Sequence, residues 1–413
     1  MNFRSKTARH KKIVKVLLTG GGTGGSVAPL LAIAEGLTAP PPLSEGKFNP
    51  SCSHCQGTEF EFLWIGTKNG PEREMVEKAG IKFMAITGGK WRRYFSFKNF
   101  IDIFKIKIGF WQSLFILLKS RPDLVITAGS FVSVPAVWAA WFLGAKVLVH
   151  QQDVRLGLAN KLMACLAKVV TVTFEDSLAT YGKKAIWTGN PVRQSLTLAT
   201  RNSQTLATRK RSQLATRNSQ TLATRNSQTL ATRNSQLATQ YGLKNNLPIV
   251  LILGGGTGAE SINKLVAESL SELTKFCQII HITGKNKSYG LRVTSYESYE
   301  FLDVKQMAEI YSLADVVVSR CGLGVLSELS YLGKPAILIP LPDSHQEDNA
   351  IIFAKAQAAV VLKQKELTFE KLTDEIEKLI KNQDLQKKLS QNIKLVMKQG
   401  ANEAMVKIIR AMM

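Results

Sequence analysis

At 413 residues with 45% hydrophobic and 21% charged side chains, the chain is too apolar to stay unfolded and too long for one ordinary core, so two domains are expected. Its formal charge of +23 asks for an anionic partner: nucleic acid, an acidic membrane surface or a polyanionic substrate. No zinc-finger, homeodomain or RNA-motif spelling is present, which argues against nucleic acid, and the 5 cysteines form no disulfide framework.

Residues 1–12 are basic and run straight into an apolar strand at 13–19, with no signal-peptide core between them. The strand ends in GGGTGGS (residues 20–26), and Leu30, Ile33, Ala34 and Leu37 then recur at helical spacing. Strand, glycine turn and helix form the unit in which backbone N–H groups and the positive end of a helix meet a phosphate. An insertion at about 39–59 follows. Its Cys52 and Cys55 flank His54 at zinc-ligand spacing, but the second pair a zinc site needs is missing, so no metal is expected. Strands are expected at 60–65 and 81–86 around a short helix at 71–80.

Residues 88–121 mix eight basic side chains with aromatics. Phe97, Phe100, Ile101, Phe104, Ile108, Trp111, Phe115 and Leu118 make one helical stripe, and Ile103, Ile106, Phe110, Leu114 and Leu117 another. One stripe is expected to pack on a sheet and the other to meet an anionic lipid surface. Strands and helices then alternate through residue 190, as in a parallel doubly wound sheet. The longest apolar stretch, 131–149, contains Pro135, Gly144 and Lys146 and divides into a helix and a strand, falling short of a membrane span.

From Arg193 an octapeptide recurs, with arginine at 193, 201, 209, 217, 225 and 233. A leucine every eight residues drifts about 80° per repeat around a helix and keeps no buried face. Residues 194–243 are therefore expected to be a low-complexity linker between domains at 1–193 and 244–413. The second half repeats the first: strand 248–253, a second glycine loop GGGTGAE at 254–260, a helix, strand 278–283, a loop to helix 305–314, strand 315–320, helix 324–333, strand 334–340 and a helical region from Leu367.

The blocks GGTGGSVAPLLAIAEGL, PDLVITAGSFVSVPAVWAAWFLGAKVLVHQQDVRLGLANK, TGNPVR, LILGGGTGAESIN, LADVVVSRCGLGVLSELSYLGKPAILIPLP and HQEDNA, in this order, resemble the MurG family. The resemblance covers most of the chain outside the two insertions. It implies a GT-B glycosyltransferase fold, α/β, with two Rossmann-like domains facing a cleft. It also implies an inverting, metal-independent transfer of N-acetylglucosamine from UDP-N-acetylglucosamine to a polyprenyl-diphosphate-linked acceptor in peptidoglycan synthesis. The expected setting is peripheral, on the cytoplasmic face of the cell membrane, with no cofactor and with other cell-wall synthesis proteins as further partners.

Carried onto this sequence, the resemblance assigns Thr23, Gly24 and Gly25 to sugar and acceptor, and Gly256 to the second loop. Leu323, Gly324, Val325, Leu326 and Ser327 fall at a helix start suited to a diphosphate. Glu328 is expected to accept from the ribose hydroxyls, as an acidic residue does in dinucleotide sites. Arg193 would neutralise the diphosphate, Gln346 contact the sugar, and Asn349 orient its loop. Three departures bear on catalysis: Ser26 stands where the family commonly has histidine, Gln151 where it has glutamate, and Asp153 where it has asparagine. Gly256 also replaces a frequent serine. Serine and glutamine are poor proton acceptors, so Asp153, beside His150 in HQQD, is the expected general base, with His150 and Ser26 as the other expected catalytic positions. A same-fold transferase with another lipid acceptor and a catalytically silent UDP-sugar-binding protein are the competing expectations.

Overall fold

The computed structural model describes residues 12–22, 24–39, 58–89, 97–194, 196, 235–244, 247–255, 258–287 and 293–413. Thr23, Gly256, Cys52, Cys55 and nearly all of the octapeptide array lie outside them.

Two compact units are present. The first holds a seven-stranded sheet of order β3-β2-β1-β4-β5-β6-β7 with every pairing parallel. Its strands are β1 (Lys12–Thr19), β2 (Thr58–Thr67), β3 (Lys82–Ile86), β4 (Leu124–Thr127), β5 (Lys146–Gln151), β6 (Val169–Val172) and β7 (Ala185–Trp187). The helices between them are α1 (Ala28–Thr38), α2 (Glu72–Lys78), α3 (Phe97–Ser120), α4 (Ser133–Phe142), α5 (Leu158–Ala164) and α6 (Leu178–Tyr181). Successive β1 side chains go to opposite faces, as a strand requires. Val14, Val16 and Leu18 pack in one core with Leu30 and Ile33 of α1, while Leu17 joins Val137 and Ala140 of α4 in the other.

The second unit repeats the plan with β8 (Ile249–Leu253), β9 (Gln278–Ile282), β10 (Tyr296–Tyr299), β11 (Val316–Ser319), β12 (Ala336–Leu338) and β13 (Val360–Val361), in the order β10-β9-β8-β11-β12-β13. Its helices are α7 (Glu260–Leu273), α8 (Val304–Leu313), α9 (Leu323–Leu332), α10 (His345–Lys355), α11 (Phe369–Lys381) and α12 (Gln383–Val396), and α13 (Ala401–Met412) ends the chain. Strand order reversing beside the first strand is the doubly wound arrangement, which puts ligands at the carboxyl ends of the strands. The units share a detail at the opposite edge. Asp123 accepts from the Lys15 N–H at 2.9 Å, and Asp315 accepts from the Ile249 N–H at 2.8 Å. Each aspartate thereby satisfies a donor of its central strand directly before that strand's pairing with β4 or β11 begins.

Several elements differ from the sequence reading, among them β13 and a helix at 235–240 inside the expected linker, neither of which it contained. β10 is expected to be loop, because Tyr-Glu-Ser-Tyr carries too little apolar pattern; among the described residues it pairs only with β9, as an edge strand can. Helix α13 groups with the first unit rather than with 244–399. Its Met405, Ile409 and Met412 are buried in the core formed by Val14, Leu30 and Leu37, and that burial decides where the last helix belongs.

In α3 the described side chains divide between a buried and an exposed face, those of Phe97, Phe100 and Ile101 lying outside the described ones. Leu117 is buried and Phe110 and Leu114 pack beneath it, whereas Phe104, Ile108, Trp111, Phe115 and Leu118 are exposed, Phe115 by 74%. Trp138, Trp141 and Phe142 of α4 are exposed as well. No helix among the described residues is long and apolar enough to cross a membrane.

Candidate functional site

The first glycine loop is braced by a carboxylate that the sequence did not single out. Glu72, at the start of α2, is fully buried and accepts from the N–H of Gly22 at 3.1 Å, the N–H of Thr67 at 2.8 Å and the Thr67 hydroxyl. Trp64 Nε1 donates to the Gly20 carbonyl at 3.1 Å. A Cβ at Gly21 would strike the Glu72 carboxylate, so glycine is required there by contact rather than by φ. Gly24 and Gly25 are half-buried, and Ser26 is buried with its hydroxyl 3.5 Å from the Gly21 carbonyl. The signal available in sequence was a glutamate after the turn TKNGP, which reads equally as a helix N-terminal charge.

At the end of β5, His150 is fully buried, with Nδ1 2.9 Å from the Thr171 hydroxyl and Nε2 2.8 Å from Asn190 Oδ1. The Gln151 side-chain carbonyl accepts from Asn160 Nδ2 and, at 3.0 Å, from the Tyr181 hydroxyl. Both ring nitrogens of His150 are thus engaged inside the first unit, an arrangement that fixes the strand end leading to Asp153.

In the second unit the glycine loop is held by a comparable network. Gly258 has φ +71°, and a Cβ there would strike the Thr283 carbonyl. That carbonyl accepts from Asn263 Nδ2 at 2.9 Å, Asn263 Oδ1 lies 3.1 Å from His281 Nε2, and His281 Nδ1 lies 3.0 Å from the Tyr296 hydroxyl. Burial pushes both His150 and His281 down to about 4, from an ordinary 6.5. The unfolded chain would therefore take up two protons near pH 6.5 that the folded units resist until about pH 4. Stability from these residues is full above 6.5 and falls as pH drops through that window, by up to about 3 kcal/mol for each histidine. Chemical denaturation at pH 7.5 and 5 should show the loss, and it should shrink in His281→Gln.

The loop after β11 is built around Cys321. Its N–H donates to Gln346 Oε1 at 3.2 Å and its carbonyl accepts from Asn349 Nδ2 at 3.1 Å. Gln346 Oε1 also accepts from the Leu341 N–H at 3.1 Å, which fixes the amide and leaves its NH₂ end without a protein acceptor among the described residues. Arg320 is buried and spends its guanidinium on the carbonyls of Ile339 and Pro340 and the Ser261 hydroxyl, so it is a scaffold cation.

Helix α9 begins at Leu323 after Gly322, and no side chain caps it. Its first-turn N–H groups carry the partial positive charge that suits a phosphate. The side chains of Leu323 and Leu326 are buried, the Ser327 hydroxyl donates to the Leu323 carbonyl, and the Leu326 N–H donates to the Gly322 carbonyl. Of the five helix-start residues, Gly324 and Val325 are half-buried, and Leu323 can offer only backbone.

One turn on, Glu328 Oε2 accepts from the Tyr311 hydroxyl at 2.9 Å. Burial pushes the Glu328 carboxyl up, while the positive Arg193 and the Tyr311 hydrogen bond hold it down. Arg193 belongs to the same unit; its Nε is buried and makes no hydrogen bond among the described residues.

Residues 153–155 group with the second unit too. Asp153 Oδ1 accepts from Asn349 Nδ2 at 3.2 Å and lies 3.9 Å from His345 Nε2, while Arg155 pairs with Asp348 at 2.8 Å. The structure thus gathers Asp153, Gln346 and Asn349 around the Cys321 loop, and Glu328 with Arg193. His345 is half-exposed beside Asp153, and in sequence it reads only as the first residue of a polar helix start. No cluster of three or more His, Cys, Asp or Glu side chains that could hold a metal ion occurs among the described residues.

Residues 54–172 match the glycosyltransferase family 28 N-terminal domain and residues 249–405 match its C-terminal domain. A UDP-N-acetylglucosamine--N-acetylmuramyl-(pentapeptide) pyrophosphoryl-undecaprenol N-acetylglucosamine transferase of Clostridium kluyveri is 36% identical over 372 residues, covering 88% of this chain and 91% of that protein. A protein of the same description from Treponema denticola is 32% identical, covering 84% and 83%. Among solved structures, Acinetobacter baumannii MurG aligns with a TM-score of 0.63 at 22% identity over 96% of this chain and 99% of that one. A UDP-GlcNAc 2-epimerase from Neisseria meningitidis, bound to UDP-GlcNAc, gives 0.63 at 15% identity over 96% and 99%, a likeness of fold alone. With more than 30% identity over most of both chains, and a domain match in each half, the chain belongs to the MurG family of glycosyltransferases.

Proposed function

We infer that this protein transfers N-acetylglucosamine from UDP-N-acetylglucosamine to undecaprenyl-diphosphate-linked N-acetylmuramoyl-pentapeptide, the lipid I to lipid II step of peptidoglycan synthesis. The observation that carries the reading is the 36% identity to a transferase of that description over 88% of the chain. The acceptor hydroxyl attacks the anomeric carbon, the bond to the diphosphate breaks with inversion, UDP leaves, and the hydroxyl proton passes to a base. The uncapped start of α9 and Arg193 stabilise the negative charge that grows on the leaving UDP. Glu328 takes the ribose hydroxyls and the free amide of Gln346 a sugar hydroxyl. Asn349 holds the carboxylate of Asp153, which takes the proton, and the first glycine loop, with Gly24, Gly25 and Ser26, meets the acceptor.

The test is turnover with UDP-N-acetylglucosamine and a short-chain lipid I analogue, with the product linkage identified, in the presence and absence of a chelator. A new β-linked disaccharide-lipid, formed equally in both, is expected. UDP-sugar binding without product would make the chain a silent binding protein, and product only with another lipid would change the acceptor.

In this reading the enzyme works peripherally at the cytoplasmic face of the cell membrane. The support is the exposed apolar face of α3 and α4, flanked by Lys105, Lys107 and Lys119, on a chain of net charge +23. Trp111→Glu with Phe115→Glu is expected to lower sedimentation with phosphatidylglycerol vesicles at least tenfold while leaving UDP affinity unchanged. Undiminished vesicle binding would move the contact elsewhere.

A further inference from the structure

We propose that Tyr311 is a positioning residue for donor recognition: its hydroxyl holds Oε2 of Glu328 so that the remaining oxygen, Oε1, is presented, ionised, to the ribose. This rests on the reading of Glu328 as the ribose acceptor.

Tyr311 is fully buried, on an α8 whose start is fixed by a reciprocal cap between Asp303 and Gln306. A phenylalanine would fill the same space without a polar atom to satisfy. A buried hydroxyl needs a partner, and this one donates to Glu328 at 2.9 Å. Among the described residues it is the side chain that hydrogen-bonds to that carboxylate; Arg193 acts on it through charge alone. A carboxylate one turn into a helix has two free torsions before its terminal one, and a fixed donor on one oxygen removes that freedom before ligand arrives.

The hydroxyl also governs ionisation. Burial favours the neutral acid, and a protonated Glu328 would offer a donor where two ribose hydroxyls need acceptors. The groups facing Glu328 that oppose this are Arg193 and Tyr311. Without the Tyr311 hydrogen bond, the carboxyl should take up its proton at higher pH than in the wild type.

The experiment measures UDP and 2′,3′-dideoxy-UDP affinity by calorimetry on the full chain and on Tyr311→Phe, Glu328→Ala and the double variant, from pH 5 to 8. Tyr311→Phe is expected to weaken UDP about tenfold at pH 7, with a larger deficit at pH 5, while dideoxy-UDP binds it as it binds the wild type. In the Glu328→Ala background the second change should add nothing. Equal losses for UDP and dideoxy-UDP, or full additivity in the double variant, would make Tyr311 a packing residue and overturn the proposal. Glu328→Ala binding UDP normally would instead sink the ribose reading on which it rests. Should Tyr311→Phe melt early, Glu328→Gln decides the ionisation claim: its UDP affinity should lose the acid-side decline of the wild type, and an unchanged decline would overturn it.

Discussion

Asp153→Asn is expected to lower kcat by roughly 100- to 10,000-fold with donor affinity nearly unchanged, the range that removal of a general base produces. The substitution keeps the shape of the side chain and its contact with Asn349, 3.2 Å away, but removes the capacity to take a proton. Asparagine is also the residue that the resemblance leads one to expect at this position, which makes the variant decisive in either direction. Ser26→His in the Asp153→Asn background, supplying the imidazole that the family commonly carries there, should restore part of the lost rate. If kcat survives and UDP-N-acetylglucosamine binds more weakly, Asp153 contacts the donor sugar. The proton then goes elsewhere, and His345, 3.9 Å from Asp153, is the next side chain to replace. Single-turnover rates at saturating donor, set beside donor affinity by calorimetry, separate these outcomes.

Glu328→Ala should weaken UDP by roughly 10- to 150-fold, the equivalent of about 1.5 to 3 kcal/mol for hydrogen bonds to an ionised acceptor. The loss should concentrate in donor affinity, because the ribose is remote from the reacting carbon and is held alike in ground and transition states. Calorimetry with UDP checks it directly. Unchanged affinity would leave Glu328 as no more than the hydrogen-bond partner of a buried tyrosine.

The strands and helices of both units were legible because their residues follow simple periods. Short uninterrupted apolar runs rich in β-branched residues and ended by glycine, such as IVLIL in β8, read as strands buried on both faces, and the two stripes of α3 are written in helical spacing. The glycine loops were legible for a related reason: tight turns between strand and helix demand glycine, as the positive φ of Gly258 shows. β10 was not legible. A short edge strand is stabilised by the backbone of β9 rather than by its own side chains.

The candidate site divides in the same way. The family resemblance, carried by motifs in the sequence, pointed to the helix start at 323–328, Gln346 and Asn349; without it HQEDN reads only as a polar helix start. Glu72, Tyr311 and the pairing of Asp153 with Asn349 came only with the tertiary structure. Each joins residues far apart in the chain, Asp153 and Asn349 being 196 positions apart, and no local pattern encodes such a contact. Helix α13 is the same lesson at larger scale. Its amphipathic spelling predicts a helix with one buried face, but which core takes Met405, Ile409 and Met412 is a matter of shape and volume that packing alone decides. The sequence by itself determined the local elements and the chemistry available at their ends; the tertiary structure decided which polar groups were spent on one another and which were left for a ligand.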